Sequence, residues 1–346
     1  DVVALQARGA TFTTEQTTAL LTGVDLVVKN PGIPYSIPVL VAAKAAGIPI
    51  VVEVAVAQKY IRGEWIALTG SNGKTTTTAA VLRTQATADH QVVVAGNIGT
   101  PVSEVAPSLR DTDTLVTELS SFQLMGMPEA KPNIAIITNI FASHLDYHGS
   151  RENYVAAKMG ITKNQTADDY LVINYDRAEW RELAQQTAAT VVPVSRLDNS
   201  EDGAYEHDGQ LYYQGELVMA AAELGVPGDH NVENALVAIA VGKLRHVPTN
   251  DIAEALRRFT GVEHRLQFVG TFDGRQVYND SKATDIEATE MALSGFTAPV
   301  VLLAGGLDRG DDQMRLLQAM KAHVKALIVF GQTADKVAAV GEALAI

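Results

Sequence analysis

The sequence predicts a multi-domain α/β protein built around a parallel sheet. Short runs rich in Val, Ile and Leu alternate with amphipathic stretches along most of the chain. Strands that are apolar on both faces are typical of buried parallel sheets, and their alternation with helices is typical of α/β folds. The chain has 346 residues, whereas one domain usually has about 100–200. We therefore expect more than one core.

The predicted elements alternate in type along the chain. Strands are predicted over 24–28, 48–52, 66–69, 92–95, 115–117, 134–138, 171–174, 300–304 and 327–330. Helices are predicted over 76–88, 151–163, 232–245, 285–294 and 333–343. Residues 203–218 differ, because short polar and aromatic runs are broken by Asp208-Gly209 and Gly215, which favours a small antiparallel meander.

Two domain boundaries are predicted, one near Arg62-Gly63 and one near Gly261–His264. They divide the chain into an N-terminal domain (1–62), a central domain (63–262) and a C-terminal domain (263–346). No Gly-rich strand–turn–helix precedes Val24, and the chain ends in a helix at Ile346. Both outer domains are therefore expected to be partial.

Composition argues against several functional classes. The net charge of −13 disfavours non-specific nucleic-acid binding, which needs Lys and Arg to displace counterions. No apolar run reaches the roughly 18 residues of a membrane-spanning helix, and no signal peptide opens the chain. The sequence has no cysteine, which excludes disulfides and thiolate metal sites. We expect a cytoplasmic protein with no nucleic-acid or membrane partner.

A polar turn with the sequence TGSNGKTT, at 69–76, joins a predicted strand to a predicted helix. Glycines let backbone N–H groups approach phosphate oxygens, and the helix N-terminus adds positive potential. Lys74 can reach the terminal phosphates of a nucleotide, and the Thr75 hydroxyl can ligate Mg²⁺. The general motif has glycine five residues before Gly73, whereas this chain has Leu68. The turn is therefore a variant phosphate loop.

This narrower TGxNGKTT form resembles the Mur ligase and folylpolyglutamate synthase superfamily, and further family motifs follow in order along the chain. The resemblance implies an ATP-dependent ligase with a P-loop central domain between Rossmann-like outer domains. The family's opening UDP-binding loop and the distal part of its last domain are expected to be missing here. The ATP contacts implied in the loop are Gly70, Ser71, Asn72, Gly73, Lys74, Thr75 and Thr76.

Two side chains that follow predicted strands are candidate metal ligands. Glu118 follows the strand 115–117, in the crevice where α/β proteins bind ligands, and can hold Mg²⁺ directly or through water. His144 follows the strand 134–138, where the family has a histidine near a second metal. Imidazole is an unusual Mg²⁺ ligand, so Mn²⁺ is an alternative. We expect two Mg²⁺ or Mn²⁺ ions, with Thr75 as a further ligand.

Lys158 closes the segment Tyr154-Val-Ala-Ala-Lys158 on a predicted helix. Spacing alone predicts a solvated helix lysine, and an ammonium cannot ligate a cation. The family resemblance implies instead that CO₂ carbamylates this lysine, which then helps to hold the second metal. With Lys74, His144 and Lys282, it completes the catalytic set that the resemblance implies.

Asn231 and Asn234 lie three residues apart at the start of a predicted helix, so they share one helix face. Amides offer both a donor and an acceptor to an adenine edge, as the resemblance implies, although helix capping is an alternative. Arg265 lies at the second boundary and is expected to clamp ATP phosphate or ribose, unless it is a structural linker residue. Asp280 is expected to help hold ATP.

The segment NDSKATD, at 279–285, resembles family members that add D-glutamate. Lys282 and Thr284 would then face D-glutamate or the acyl phosphate, whereas a capped helix start is the alternative. Arg309, after a later strand, can bind a carboxylate with two hydrogen bonds and is the third candidate D-glutamate contact.

Other strand ends resemble the family's contacts with a UDP-sugar. The candidate contacts are Asn30, Pro31, Gly32, Asn97 and Ser120. A turn without a ligand is the alternative at both Asn30–Gly32 and Asn97.

Together the resemblance implies a monomeric ligase that joins D-glutamate to UDP-N-acetylmuramoyl-L-alanine through an acyl phosphate. Two alternatives stay open at this point. One is a sister Mur ligase or folylpolyglutamate synthase that adds another amino acid. The other is a P-loop nucleotide-binding module or fragment without ligase chemistry.

Overall fold

A computed structural model describes residues 2–85, 91–141, 144–283, 286–294, 296–308 and 313–346. The strands in this part of the chain are β1 (Val27–Val28), β2 (Ile50–Val51), β3 (Glu64–Thr69), β4 (Val92–Gly96), β5 (Thr114–Glu118), β6 (Ile134–Ile137), β7 (Tyr170–Asn174), β8 (Thr190–Ser195), β9 (Ala204–His207), β10 (Gln210–Tyr213), β11 (Glu216–Ala220), β12 (Gln267–Phe272), β13 (Arg275–Asn279), β14 (Val300–Gly306) and β15 (Val324–Gly331).

The helices are α1 (Val2–Ala7), α2 (Pro38–Ala45), α3 (Glu53–Ala57), α4 (Lys74–Gln85), α5 (Val102–Val105), α6 (Ser121–Leu124), α7 (Leu145–His148), α8 (Arg151–Met159), α9 (Ala178–Ala184), α10 (Asp229–Leu244), α11 (Thr249–Arg258), α12 (Ile286–Ser294), α13 (Leu317–His323) and α14 (Ala334–Leu344). Each predicted strand and helix overlaps one of these elements. Residues 86–88 and 285 of the predicted helices lie outside the described part.

A nine-stranded sheet forms the centre of the fold, in the order β11-β10-β9-β8-β7-β6-β3-β5-β4. Its strands are parallel from β4 to β9. Strands β5 and β6 are buried along their whole length, as expected for a parallel sheet that is covered on both faces. The prediction of a parallel-sheet α/β fold is therefore confirmed.

The last three strands of this sheet form the predicted meander. β9, β10 and β11 pair antiparallel. Asp208 and Gly209 have φ of 47° and 74°, the positive values that a two-residue turn between twisted strands requires. Strand β8, which connects the meander to the parallel strands, was not predicted from sequence.

Successive side chains along each strand of the sheet pack on opposite faces. Trp65, Leu115 and Ile137 belong to one buried cluster that also includes Trp180 of α9 and Tyr154 of α8. Their neighbours along the strands point to the opposite face, where helix α4 packs on β3, β4 and β5. The sheet therefore holds the carboxyl ends of β3, β5 and β6 rigidly beside each other.

The chain divides into two compact units. The first is Asp1–Ala221 with Glu233–Ala255, which contains the nine-stranded sheet, and the second is Ala222–Val232 with Leu256–Ile346. The boundary predicted near Arg62-Gly63 stays a prediction, as does the one near Gly261–His264. Within the described residues, no helix is both long enough and apolar enough to cross a membrane.

The second unit contains an antiparallel hairpin, β12–β13, and a parallel pair, β14–β15, against which α14 packs. The hairpin was not predicted, although Asp273-Gly274 is a common hairpin turn and has φ of 50° and 74°. The β14 and β15 strands match the prediction.

Candidate active site

The phosphate loop leaves β3 at Thr69 and enters α4 at Lys74. A Cβ on Gly70 would lie 1.9 Å from Thr138 Oγ1, and a Cβ on Gly73 would lie 2.7 Å from Asn234 Oδ1. Gly73 also has a φ of 78°, a left-handed value that glycine adopts without strain. Both glycines are therefore required by the packing around the loop.

The loop is clamped to the end of β6 by the Asn139 side chain. Asn72 N donates to Asn139 Oδ1 at 2.8 Å, and Asn139 Nδ2 donates to Asn72 O at 3.1 Å. Thr138 Oγ1 donates to the same Asn72 carbonyl at 2.8 Å. Sequence reasoning did not single out Asn139 or Thr138, although Thr138 is the last residue of the predicted strand 134–138 and Asn139 follows it.

Ser71 anchors the loop from its other side. Ser71 N donates to Asn139 O at 2.9 Å, and its hydroxyl lies 2.8 Å from the Tyr154 hydroxyl of α8. Phe141 N also donates to Ser71 Oγ at 2.9 Å. The side chain predicted to touch ATP thus contacts α8, and the loop backbone is held in one conformation.

Two lysines meet at the carbonyl of Gly70. Lys74 Nζ donates to Gly70 O at 3.1 Å and to Ser71 O at 2.9 Å. Lys158 Nζ donates to Gly70 O at 2.7 Å, and only 2% of Lys158 is exposed. The prediction from spacing alone, that Lys158 is solvated, is therefore wrong, because α8 packs this residue under the phosphate loop.

The environment of Lys158 disfavours its charged form. Burial lowers its pKa well below the ordinary value of 10.5, and the Lys74 charge lowers it further, whereas Glu118 acts in the opposite direction. The Nζ atom also lies 4.7 Å from the Tyr154 ring centroid. A neutral amine at this position is the chemical form that reacts with CO₂.

Glu118 brings two other predicted residues together at the end of β5. Thr75 Oγ1 donates to Glu118 Oε2 at 2.9 Å, and Asn97 Nδ2 donates to Glu118 Oε1 at 2.9 Å. Only 1% of Glu118 is exposed. A buried carboxylate beside a hydroxyl supplies the oxygen ligands that Mg²⁺ prefers, so these residues fit a magnesium ion.

His144 does not join this pair through a direct contact that the structure records. It is exposed, has a φ of 52°, and its ring centroid lies 5.1 Å from that of Phe122. His148, one helical turn later, is buried, and its Nε2 lies 3.0 Å from Ser121 Oγ. No cluster of three or more His, Cys, Asp or Glu side chains suited to a metal occurs among the described residues.

Ser120 begins α6 as its cap. Its hydroxyl accepts from Gln123 N at 3.2 Å, and its own N–H donates to Gln123 Oε1 at 2.9 Å. This reciprocal pair satisfies the first free N–H groups of the helix. The residue predicted to bind the UDP-substrate therefore also has a local structural role.

The candidate UDP-substrate loop, residues 30–33, is organised by Lys29. Lys29 is 5% exposed, and its Nζ donates to Asn30 O at 3.1 Å, Pro31 O at 2.8 Å and Ile33 O at 2.9 Å. Burial lowers the pKa of Lys29. Gly32 N donates to Asn30 Oδ1 at 3.0 Å, so the Asn30 side chain completes the turn. Sequence reasoning overlooked Lys29.

Asn234 is buried and accepts a 2.8 Å hydrogen bond from Thr77 Oγ1 of α4. It lines an open cleft at the carboxyl ends of β6, β7 and β8, where Asn139, Asn174 and Arg196 are also found. In the second unit, Asn231 Nδ2 donates to Pro227 O at 2.7 Å. Both asparagines therefore have local partners besides any ligand.

In the second unit, a turn at 264–266 is tied to the segment 279–282. Leu266 N donates to Asp280 Oδ1 at 2.9 Å, and Lys282 N donates to His264 O at 2.9 Å. Burial raises the pKa of Asp280. Arg265 Nε is buried without a hydrogen-bond partner among the described residues. Thr284 and Arg309, the other two candidate D-glutamate contacts, lie outside the described residues.

Comparisons with known proteins identify the family of the chain. Residues 68–242 match a family model described as the Mur ligase middle domain. The chain is 58% identical to the UDP-N-acetylmuramoylalanine--D-glutamate ligase of Lactiplantibacillus plantarum, over 91% of this chain and 69% of that protein. It is 52% identical to the ligase of the same name from Latilactobacillus sakei, over 96% of this chain and 74% of that protein.

Solved structures share the fold at lower identity. The structure of UDP-N-acetylmuramate-alanine ligase MurC from Thermotoga maritima has a TM-score of 0.62 at 22% identity, covering 98% of this chain and 79% of that chain. MurF ligase from the same organism, in complex with ADP, has a TM-score of 0.63 at 16% identity, covering 90% and 82%. The family model and the sequence relatives together show that the chain belongs to the Mur ligase family.

Proposed function

We propose that this protein is an ATP-dependent ligase that joins D-glutamate to UDP-N-acetylmuramoyl-L-alanine. The observation that carries the proposal is the similarity to the two D-glutamate ligases, which extends over more than 90% of the chain. The clamped phosphate loop supports it, because the reaction depends on holding ATP phosphates in a fixed position.

In the first proposed step, an oxygen of the alanine carboxylate attacks the γ-phosphorus of ATP. A carboxylate O–P bond forms, the bond to the β–γ bridging oxygen breaks, and ADP leaves. Lys74 and the loop N–H groups would stabilise the negative charge on the transferring group. The Asn139 clamp supports this role, since it holds the Asn72 backbone in one position.

In the second proposed step, the amine of D-glutamate attacks the acyl phosphate carbon. A C–N bond forms, the C–O bond to phosphate breaks, inorganic phosphate leaves and the amine loses a proton. We propose Lys282, Thr284 and Arg309 as the contacts to D-glutamate. The ammonium of Lys282 is suited to a carboxylate or an acyl phosphate.

The metal sites are proposals that rest on the donor chemistry of these residues. Thr75 and Glu118 would hold the first Mg²⁺, and His144 with a modified Lys158 would hold a second Mg²⁺ or Mn²⁺. A bound divalent ion would supply charge neutralisation for the phosphates. The hydrogen bond between Thr75 and Glu118 supports the first site, because it places two oxygen donors side by side.

The carbamate on Lys158 is likewise a proposal. The neutral amine nitrogen forms a bond to the carbon of CO₂, and one proton is released, which leaves a carboxylate. Burial and the lowered pKa support this step, because only the neutral amine is nucleophilic. ¹³C NMR of protein equilibrated with ¹³C-bicarbonate should show a carbamate resonance that Lys158→Met lacks. No such resonance in the wild type would contradict the proposal.

The remaining assignments are proposals of the same kind. ATP would contact the loop residues and Asn231, Asn234, Arg265 and Asp280, and the UDP-substrate would contact Asn30–Gly32, Asn97 and Ser120. We also propose a monomer that works in the cytoplasm, with the three domains divided near residues 62 and 262.

A phosphate-release assay tests the proposed function. The protein is given ATP, Mg²⁺ and UDP-N-acetylmuramoyl-L-alanine with D-glutamate, L-glutamate, L-lysine or meso-diaminopimelate in turn. We expect release that requires D-glutamate. Release with another amino acid alone would favour a sister ligase, and ATP binding without release would favour a nucleotide-binding module.

A further inference from the structure

We propose that Tyr147 is a positioning residue for the UDP-substrate, because it fixes the backbone of the loop at residues 30–33. The inference rests on the proposed function in one respect, the assignment of this loop to the UDP-substrate. No motif pointed to Tyr147, which lies 114 residues away from Ile33 in sequence.

The contact is made by the hydroxyl group of Tyr147. Tyr147 OH lies 3.2 Å from Pro31 O and 3.0 Å from Ile33 O, so its one hydrogen is shared between these two carbonyls. The loop follows β1, a strand of only two residues that pairs with β2, so the sheet holds it weakly. A donor from α7 therefore ties the loop to a distant part of the chain.

Lys29, the residue before the loop, donates to the same two carbonyls. Pro31 O and Ile33 O are thus each held by two donors, one local and one from a distant helix. With Tyr147 removed, the Lys29 bonds would still satisfy both carbonyls, so the loop should keep its fold but gain freedom. Loss of positioning is therefore separable from loss of folding.

Tyr147 is itself held by aromatic packing. Its ring meets the Phe122 ring edge to face, with centroids 4.6 Å apart, and Phe122 stacks on His148 at 5.4 Å. His148 in turn packs on Tyr154, whose hydroxyl contacts Ser71 of the phosphate loop. These packed rings form a continuous set of contacts between the loop at 30–33 and the phosphate loop.

The test compares Tyr147→Phe with the wild type and with Tyr60→Phe, a control at a tyrosine that is 60% exposed. The phenylalanine keeps the ring packing and removes the shared hydrogen bond. We expect the Kd of UDP-N-acetylmuramoyl-L-alanine, from titration calorimetry, to rise about five- to tenfold, as loss of a modest hydrogen bond predicts. The Kd of ATP should change less than twofold, and Tyr60→Phe should match the wild type for both ligands.

Two results would overturn the inference. One is an unchanged Kd for the UDP-substrate in Tyr147→Phe. The other is an equal rise in the Kd of both ligands, which would indicate a general structural defect. If the wild type itself fails to bind the UDP-substrate, the proposed function fails. Circular dichroism checks that Tyr147→Phe is folded, and Lys29→Met, which removes the local donor to the same carbonyls, should weaken UDP-substrate binding in the same selective way.

Discussion

Replacing Asn139 with alanine should weaken ATP binding by about ten- to thirtyfold. The substitution removes the two hydrogen bonds at 2.8 and 3.1 Å that clamp Asn72 to the end of β6. The side chain is 8% exposed, so water does not replace them freely. At about 1 kcal/mol each, their loss amounts to about 2 kcal/mol, or roughly thirtyfold if the loop leaves its binding conformation.

Titration calorimetry with ATP and Mg²⁺ measures this effect. Asn164→Ala is the matched control, because Asn164 Nδ2 also makes two hydrogen bonds to backbone carbonyls, to Pro128 O at 2.9 Å and Ala130 O at 3.0 Å. Both variants should lower the melting temperature, and only Asn139→Ala should lose ATP affinity. An ATP affinity within twofold of the wild type in Asn139→Ala would refute the clamp.

Three further changes follow from the same contacts. Gly73→Ala should weaken nucleotide binding by at least about tenfold, because a left-handed φ costs a non-glycine residue about 1–2 kcal/mol and the new Cβ would lie 2.7 Å from Asn234 Oδ1. The pKa of Lys158 is lower in the folded chain than its ordinary 10.5, so the folded state binds fewer protons than the unfolded state. In CO₂-free buffer the free energy of unfolding of the wild type should therefore rise with pH until the pH reaches about 10.5. Lys158→Met should flatten this slope in urea unfolding at several pH values. Arg245→Met should lower stability by about 3 kcal/mol, because it leaves the Glu64 carboxylate without its charged partner.

Each of these has a clear opposite result. Nucleotide affinity equal to the wild type in Gly73→Ala would mean that the loop accepts a side chain. If the free energy of unfolding of Lys158→Met rises with pH as steeply as that of the wild type, a group other than Lys158 causes the pH dependence. Unfolding of Arg245→Met at the wild-type urea midpoint would show that the Arg245–Glu64 pair does not stabilise the fold.

Sequence reasoning succeeded where the information is local. The phosphate loop, the parallel strands and the meander at 204–220 follow from glycine spacing, apolar runs and turn residues, which act within a few positions. The hairpin β12–β13 was missed, although its Asp273-Gly274 turn was visible. Exposed and half-buried residues do not alternate regularly along its two strands, so the usual strand pattern is absent.

The site was harder to predict where contacts join distant parts of the chain. Asn139 and Tyr147 act on residues 67 and 114 positions away, and no periodicity reports such pairs. Lys158 shows the same limit, because helix spacing alone predicts a solvated lysine. Only the packing of α8 beneath the loop shows that this lysine is buried.

The most direct test of the ligase assignment follows the alanine carboxylate oxygen. UDP-N-acetylmuramoyl-L-alanine labelled with ¹⁸O in that carboxylate is incubated with ATP, Mg²⁺ and D-glutamate, and both products are analysed by mass spectrometry. The proposed reaction predicts a UDP-linked product extended by one glutamate and inorganic phosphate that carries one ¹⁸O atom. Unlabelled phosphate, or the absence of the glutamate-containing product, would contradict it.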